Sequence, residues 1–449
     1  MKRNQIIGTL IASTFLVSGC VSQNDRAASI ENRLTDHLSS TAFQDTKKAK
    51  SVVATAKFED ALKLAVESDP QFLSAQAAEK ASFAQVGVAT SARRPQVSAT
   101  ASGGALKEAS PSNREITGVA ADIMMSQLIY DGGAANAAID GALARALSAR
   151  AATQETGNAV ALEALRAWAD LWVLQQRLSA LNARSADITT LSDQLDRMTA
   201  NGMLDSATRD SARIAVLDFK TEEASLRSGL AGAEAKFARH FGFVPAGNIA
   251  APRQLFSGQD LRKLQSDISL SPTVRKAAAE LIAAEAAEKE ALSQFKPTVA
   301  LNMGVMSPMD EDDTTDTTIG LQMRYTFNDG GRRKSQAAAA TARKEASSMN
   351  LESAKAEATA RMAGALAQLT ALEQTAPLIA QKLTASNDQA STAEAQIALG
   401  QSTLRGLLDA RIAQYRALEQ SLKLTAERAV LQGTIAAGAG MLTQKLGVE

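Results

Sequence analysis

Cysteine is almost missing from this chain: Cys20 stands alone among 449 residues. One thiol cannot close a disulfide within the chain. Histidine is nearly as scarce, with only His37 and His240. A His/Cys metal site or a Cys–His nucleophile therefore has almost no raw material. Net charge is missing too, since 48 Lys+Arg balance 48 Asp+Glu. A general nucleic-acid binder would carry a basic surplus, so no nucleic-acid partner is expected. Aromatic residues make up 4% of the chain against 45% hydrophobic, and alanine supplies much of the difference. Such a composition suits long, closely packed helices better than a bulky core. The glycine-rich stretch Asp131-Gly132-Gly133 lacks the G-x-G-x-x-G order of a phosphate loop, and no nucleophile elbow is present. No catalysis and no cofactor are expected.

What is present begins at the N-terminus. Met1-Lys2-Arg3 precedes an apolar run from Ile6 to Val17 and then Ser18-Gly19-Cys20. A positive start, a short apolar stretch and small residues before a cut site make a signal peptide over residues 1–19. Leu16-Val17-Ser18-Gly19-Cys20 resembles a bacterial lipobox, which implies cleavage before Cys20 and lipidation of its thiol. Acyl chains contribute about 0.8 kcal/mol per buried CH₂, enough in combination to hold a protein on a membrane. Val21 follows where an Asp would favour inner-membrane retention in enteric lipoproteins, so the resemblance leans toward the outer membrane. Residues 20–56 are polar without a clear period and read as a tether.

Length alone suggests roughly three domains, but nine prolines and a few glycines reveal a repeat instead. Asp69-Pro70 recurs as Ser271-Pro272, and Arg94-Pro95-Gln96-Val97 as Lys296-Pro297-Thr298-Val299, both offset by 202. Then the offset falls to 198: Asp131-Gly132-Gly133 recurs as Asp329-Gly330-Gly331, Gly202 as Gly400, and Ala212-Arg213-Ile214-Ala215 as Ala410-Arg411-Ile412-Ala413. The expected organisation is repeat 1 over 57–244, a connector over 245–258 and repeat 2 over 259–449.

Each repeat opens with a helical approach, Phe58–Ser68 and Gln71–Ser91 in the first. Two alternating runs follow. Ile319, Leu321, Met323, Tyr325 and Phe327 share one face, against Gly320, Gln322, Arg324 and Thr326. Period two predicts strands near 97–106, 119–130, 297–306 and 318–327. A proline-free stretch from Ala134 to Asn201 predicts a helix of roughly 100 Å. Leu174, Leu181, Ile188 and Leu195 recur every seven residues, with Leu171/Leu178 and Leu191/Met198 on the alternate seam, the signature of coiled-coil packing. Arg332–Leu399 is its counterpart, with Pro377 predicting a kink. Gly202 and Gly400 turn the chain, giving helical hairpins over 133–242 and 331–441.

These paired landmarks resemble the TolC-like outer-membrane efflux protein family over nearly all of residues 57–449. The segment Gly400-Gln401-Ser402-Thr403-Leu404-Arg405-Gly406-Leu407-Leu408-Asp409-Ala410 is close to that family's second periplasmic turn. The resemblance implies a mainly α fold with a small β part. It implies a homotrimer with four strands per protomer closing a 12-stranded transmembrane β-barrel, continued by a long α-helical coiled-coil barrel in the periplasm. Asp122, Ser126, Gln322 and Arg324 would then line the barrel lumen, and Asp310-Glu311-Asp312-Asp313 with Asp316 would form an extracellular loop. Asp409 matches one acidic position of the family's pore constriction. The preceding acidic position is Gly406 here, and the family's latch positions fall on Ile397, Ser402 and Thr208, so the familiar latch is missing. Gly202 and Gly400 are the expected tip for docking a periplasmic adaptor (a membrane fusion protein).

The implied function is the exit duct of a tripartite export system. It would pass substrate from an inner-membrane pump or ABC exporter through the outer membrane, in type I protein secretion or small-molecule efflux. Asn24 and Asp25 after the cysteine do not match the Pro/Tyr-containing stretch of drug and metal efflux lipoproteins. The alternative is a lipid-anchored periplasmic coiled-coil scaffold or adaptor without a pore. Tyr130, Tyr325 and Phe327 are few for an aromatic girdle.

Overall fold

The computed structural model describes residues 30–35, 57–107, 115–203, 205–265, 268–307, 314–399 and 403–448. Cys20, the expected signal peptide, most of the expected tether, Gly400 and the acidic segment 310–313 lie outside the described residues. The chain divides into two units, Met1–Thr55 and Ala56–Glu449. In the first, residues 30–35 form a short helix. The second is mainly helical with one small antiparallel sheet.

Helices α1 (Phe58–Glu67) and α2 (Pro70–Ser91) lead to strands β1 (Gln96–Lys107) and β2 (Glu115–Tyr130). Helices α3 (Ala134–Ala200) and α4 (Ser206–Phe241) follow. After a linker come α5 (Gly258–Gln265), a 3₁₀ turn, α6 (Pro272–Ser293), β3 (Thr298–Ser307) and β4 (Asp316–Arg324). Then α7 (Arg332–Ala398), α8 (Leu404–Gly438) and α9 (Leu442–Leu446) complete the chain. The expected connector, 245–258, thus runs into a short helix. Chemistry sets the boundaries. Asp69 Oδ1 accepts hydrogen bonds from the Gln71 and Phe72 N–H groups at 2.8 and 3.4 Å, with Pro70 at the first helical position of α2. Gly132 and Gly133 have φ of +71° and +101°, and Gly330 and Gly331 +68° and +89°. Two successive left-handed residues turn strand into helix, which a side chain would oppose. Asp131 and Asp329 fix those turns. Each accepts from the second glycine's N–H, at 2.9 and 3.2 Å, and from the N–H four residues on.

The sheet runs β1-β2-β3-β4, all antiparallel. Strand β2 starts at Glu115, earlier than its apolar alternation predicts, because it pairs with β1 out to Lys107. Strand β4 stops at Arg324, which pairs with Thr298, the first residue of β3. Pro297 has no N–H to extend the ladder, so Tyr325 and Phe327 lie beyond the strand that was expected to carry them.

Helices α3 and α7 each have 67 residues, about 100 Å of rod. Pro377 does not interrupt α7. Contacts to α8 lie on both sides of it, Lys382–Gln420 at 3.0 Å and Glu373–Arg428 at 3.5 Å. The first part of α3 packs on α2 and α6, where Thr153 Oγ1 donates to the Ala75 carbonyl and Thr273 Oγ1 to Glu155. Its second part packs on α4 and α8. There Leu181, Ile188 and Leu195 are buried against Ala212, Phe219 and Leu226 of α4 and Leu408 and Tyr415 of α8. The α4 residues are themselves seven apart, so the heptad seam is matched across the interface. Leu191 packs instead with Ala390 and Ala393 of α7 and Leu407 and Ala410 of α8.

Where the two parts of α3 meet, the scarce aromatics gather. Trp168 contacts Phe58, Phe237 and Phe241 at ring-centroid distances of 5.2, 5.6 and 5.5 Å. Trp168 Nε1 donates to the Ala250 carbonyl, and Gln175 brackets the same linker through Gly247 and Ile249. The buried Asn158 accepts from the Leu442 and Thr443 N–H groups, tying α9 to α3.

Candidate functional site

The first candidate surface is the sheet, and its register decides its chemistry. Directly paired residues share a face. Across all four strands the paired positions keep the same parity, even with even and odd with odd, save at Tyr130–Val299. The even face carries Gln96, Ser98, Thr100, Asp122, Ser126, Asn302, Thr318, Gln322 and Arg324, with Met124, Leu128 and Met306 among them. Asn302 Nδ2 donates to Gln322 Oε1 at 3.2 Å. All four sequence-predicted lumen residues fall on this one face. Asp316, expected in a loop, is the first residue of β4 and joins them through its pair Met306. The pattern could have found it, since it lies an even number of residues before Gln322.

The odd face is mainly apolar, with Gln127, Ser307 and Thr317 as polar exceptions. Val97, Val119, Ile123, Met303, Val305, Ile319, Leu321 and Met323 are all exposed. A register shift between Leu128 and Tyr130 brings Tyr130 opposite Val299, moving its ring to this apolar face. Tyr325 and Phe327, just beyond β4, stack edge to face at 4.9 Å.

The second candidate surface is the far end of the rod. Gly202 ends the first hairpin's outgoing helix with φ +72°. Met203 N–H reaches back to the Met198 carbonyl at 2.9 Å, a Schellman closure. Among the described residues, nothing beyond its own chain neighbours lies within 4 Å of a Cβ added at Gly202. Asp205 caps α4 by accepting from the Thr208 N–H at 2.7 Å, and that bond holds its carboxyl below the usual range. Thr403 caps α8 through the Gly406 N–H. Asp409 pairs with Arg405 Nε at 3.0 Å, exposed on the outside of one turn of α8. Its neighbour Leu408 packs in the cluster that holds Leu195, so Asp409 lies near the tip. Of the latch positions, Thr208 is engaged with Asp205, Ile397 packs against the Leu191 cluster, and Ser402 lies outside the described residues.

A third feature was not read from the sequence. Arg177 of α3 lies 2.6 Å from Glu222 of α4 and 2.6 Å from Glu419 of α8. Lys423 adds a 2.7 Å contact to Glu419. Beside this node the Tyr415 ring packs on Phe219 at 5.4 Å, and burial pushes its phenol up to about 12. The three charges are scattered in sequence, so only the seam position of Arg177, between Leu174 and Leu181, hinted at them.

Among the described residues no group of three or more His, Cys, Asp or Glu could hold a metal ion. None of the described helices is long and apolar enough to cross a membrane.

Long paired helices joined to a four-stranded antiparallel sheet with a mainly polar and a mainly apolar face define a mainly helical fold class. A family profile described as outer membrane efflux protein matches residues 61–242 and 264–440, and the chain belongs to that family. Its fold is shared with solved structures. The outer membrane protein VceC of Vibrio cholerae matches with TM-score 0.73 at 16% identity, over 85% of this chain and 96% of that one. The CmeC outer membrane channel of Campylobacter jejuni gives 0.73 at 14%, over 86% and 85%. The open state of the Neisseria gonorrhoeae MtrE outer membrane channel gives 0.71 at 17%, over 85% and 88%. No curated protein sequence matches the chain.

Proposed function

We propose that the chain is one protomer of a passive outer-membrane exit duct. Three copies join β1 of one to β4 of the next, closing four strands per protomer into a 12-stranded barrel without free edges. The even face lines the water-filled lumen and the odd face meets lipid. Helices α2, α3, α4, α6, α7 and α8 continue the wall as a tube across the periplasm, and the two halves of each protomer are repeats of one unit. Cys20 carries the lipid anchor. The turns at Gly202 and Gly400 dock a periplasmic adaptor, which couples the duct to an inner-membrane pump or ABC exporter. Asp409 stands near the axis at the tip and narrows it with three carboxylates. The cargo is a small molecule or a secreted polypeptide, and the duct passes either without chemistry.

The observation that carries this reading is the division of the sheet into a mainly polar face and a mainly apolar, exposed face. A soluble scaffold has no use for so many bare apolar side chains on one face. The test is the mass of the detergent-solubilised assembly, with and without heating. A trimer that needs detergent and changes mobility on heating is expected. A monomer that stays soluble once its lipid is removed would favour the scaffold and end the duct reading.

A further inference from the structure

The charges on the even sheet face are sorted by sign along the strands. Thr100, Asp122, Met306 and Asp316 form one row of paired residues. Arg324 pairs with Thr298 at the opposite, helix-proximal end of β4. Between them lies a neutral rung, the Asn302–Gln322 hydrogen bond. Among the described residues, none of the Asp122, Asp316 and Arg324 side chains has an ion-pair or hydrogen-bond partner. Their fields are therefore not cancelled by local pairing.

Spacing determines what these charges do. Asp122 and Asp316 are two strands apart, about 10 Å at about 4.8 Å per strand. From Asp316 to Arg324 is eight residues of strand, about 27 Å. The Debye length at physiological salt is about 8 Å. The two carboxylates of a protomer sit only a little more than one Debye length apart, so both raise the negative potential of the water between them, while the arginine, more than three Debye lengths away, is screened from them and acts alone. In the closed trimer of the proposed duct, on which this inference rests, Asp122 and Asp316 occupy every second strand around the barrel. Strands tilted by about 35–45° place them as two rings of three carboxylates, offset along the axis by about 6 Å.

We propose that Asp122 and Asp316 set the charge selectivity of the duct, making the barrel lumen prefer cations, and that Arg324 opposes them as a separate basic ring at the helical end. Rings of carboxylates favour cations in pores because they raise the local cation concentration and repel anions. The acidic section lies in the barrel, on different residues from the tip carboxylate Asp409. Permeant substrates or counter-ions of positive charge would meet attraction at the exit and resistance at the Arg324 level.

The experiment is reversal potential under a KCl gradient, with purified full-length protein in planar bilayers. Wild type should be cation-selective. Asp122→Asn and Asp316→Asn should each move the reversal potential toward zero, and the pair together further. Arg324→Gln should move it the opposite way, which keeps the test sound if an aspartate variant fails to assemble. Selectivity unchanged by both aspartate variants, or lost on Asp409→Ala alone, overturns the inference while leaving the duct intact. A wild-type protein that does not conduct removes both.

Discussion

Arg177 offers the sharpest test of how the rod is held together. Its guanidinium joins α3 to Glu222 of α4 and Glu419 of α8, both at 2.6 Å. The side chains of Arg177, Glu222 and Glu419 are 14%, 37% and 19% exposed, so the node is neither dry nor open. Replacing Arg177 with Met keeps the length and removes the charge, leaving two carboxylates facing each other. Removing one partner from a buried pair costs about 3–5 kcal/mol, and an exposed pair is worth about 0.2–1 kcal/mol. Glu419 retains Lys423, and Glu222 has access to water. The expected cost for Arg177→Met is therefore about 2–3 kcal/mol, between those limits. The cost comes mainly from the stranded carboxylates. Adding Glu222→Gln and Glu419→Gln should then recover all but about 1 kcal/mol. Denaturant unfolding of the purified protein, followed by helical circular dichroism, reads both shifts. A single variant that unfolds like wild type, or a triple variant no better than the single, would refute the reasoning.

Asn158→Ala should release α9, because two backbone N–H groups lose their acceptor at about 1–3 kcal/mol for each buried orphan. Hydrogen exchange at Leu442 and Thr443 should accelerate, and protection equal to wild type would contradict it. His240 is held below 6.5, first by burial and then by Arg239, with Glu163 and Asp69 acting the other way. The unfolded chain therefore takes up that proton first. Stability is flat above about pH 6.5 and falls as the pH drops from there toward the folded value. His240→Gln should flatten that part of a melting-against-pH curve, and an unchanged slope would assign it to other groups. Asp409→Ala should raise single-channel conductance or weaken block by multivalent cations, since removing the Arg405 pair itself costs little. Unchanged conductance and block would leave Asp409 as an exposed ion pair only.

The helices were legible because helix needs only local rules. The proline-free run after Asp131-Gly132-Gly133 and the heptads through Leu174 and Leu181 were enough to draw α3. The polar parity of Gln322 and Arg324 was legible for the same reason, since period two is local. Pairing of β2 with β3 is not local, because the whole α3–α4 hairpin separates them. The extension of β2 to Glu115 depends on its partner β1, and the end of β4 on Pro297, so neither could be read from its own alternation. Asp316 follows the acidic segment 310–313, and its place in β4 is fixed by its pairing with Met306. The Arg177 node and the Trp168 cluster belong to packing between distant segments, and single residues such as Glu419 or Phe58 carry no mark of it.

The proposed duct requires that copies of this chain enclose a water-filled path. Single-channel recording of the purified full-length protein in a planar bilayer tests that claim most directly. Discrete conductance steps are expected, abolished when the polar face is filled by Ser126→Trp together with Asn302→Trp. A protein that inserts into the bilayer as a trimer and passes no current would contradict it.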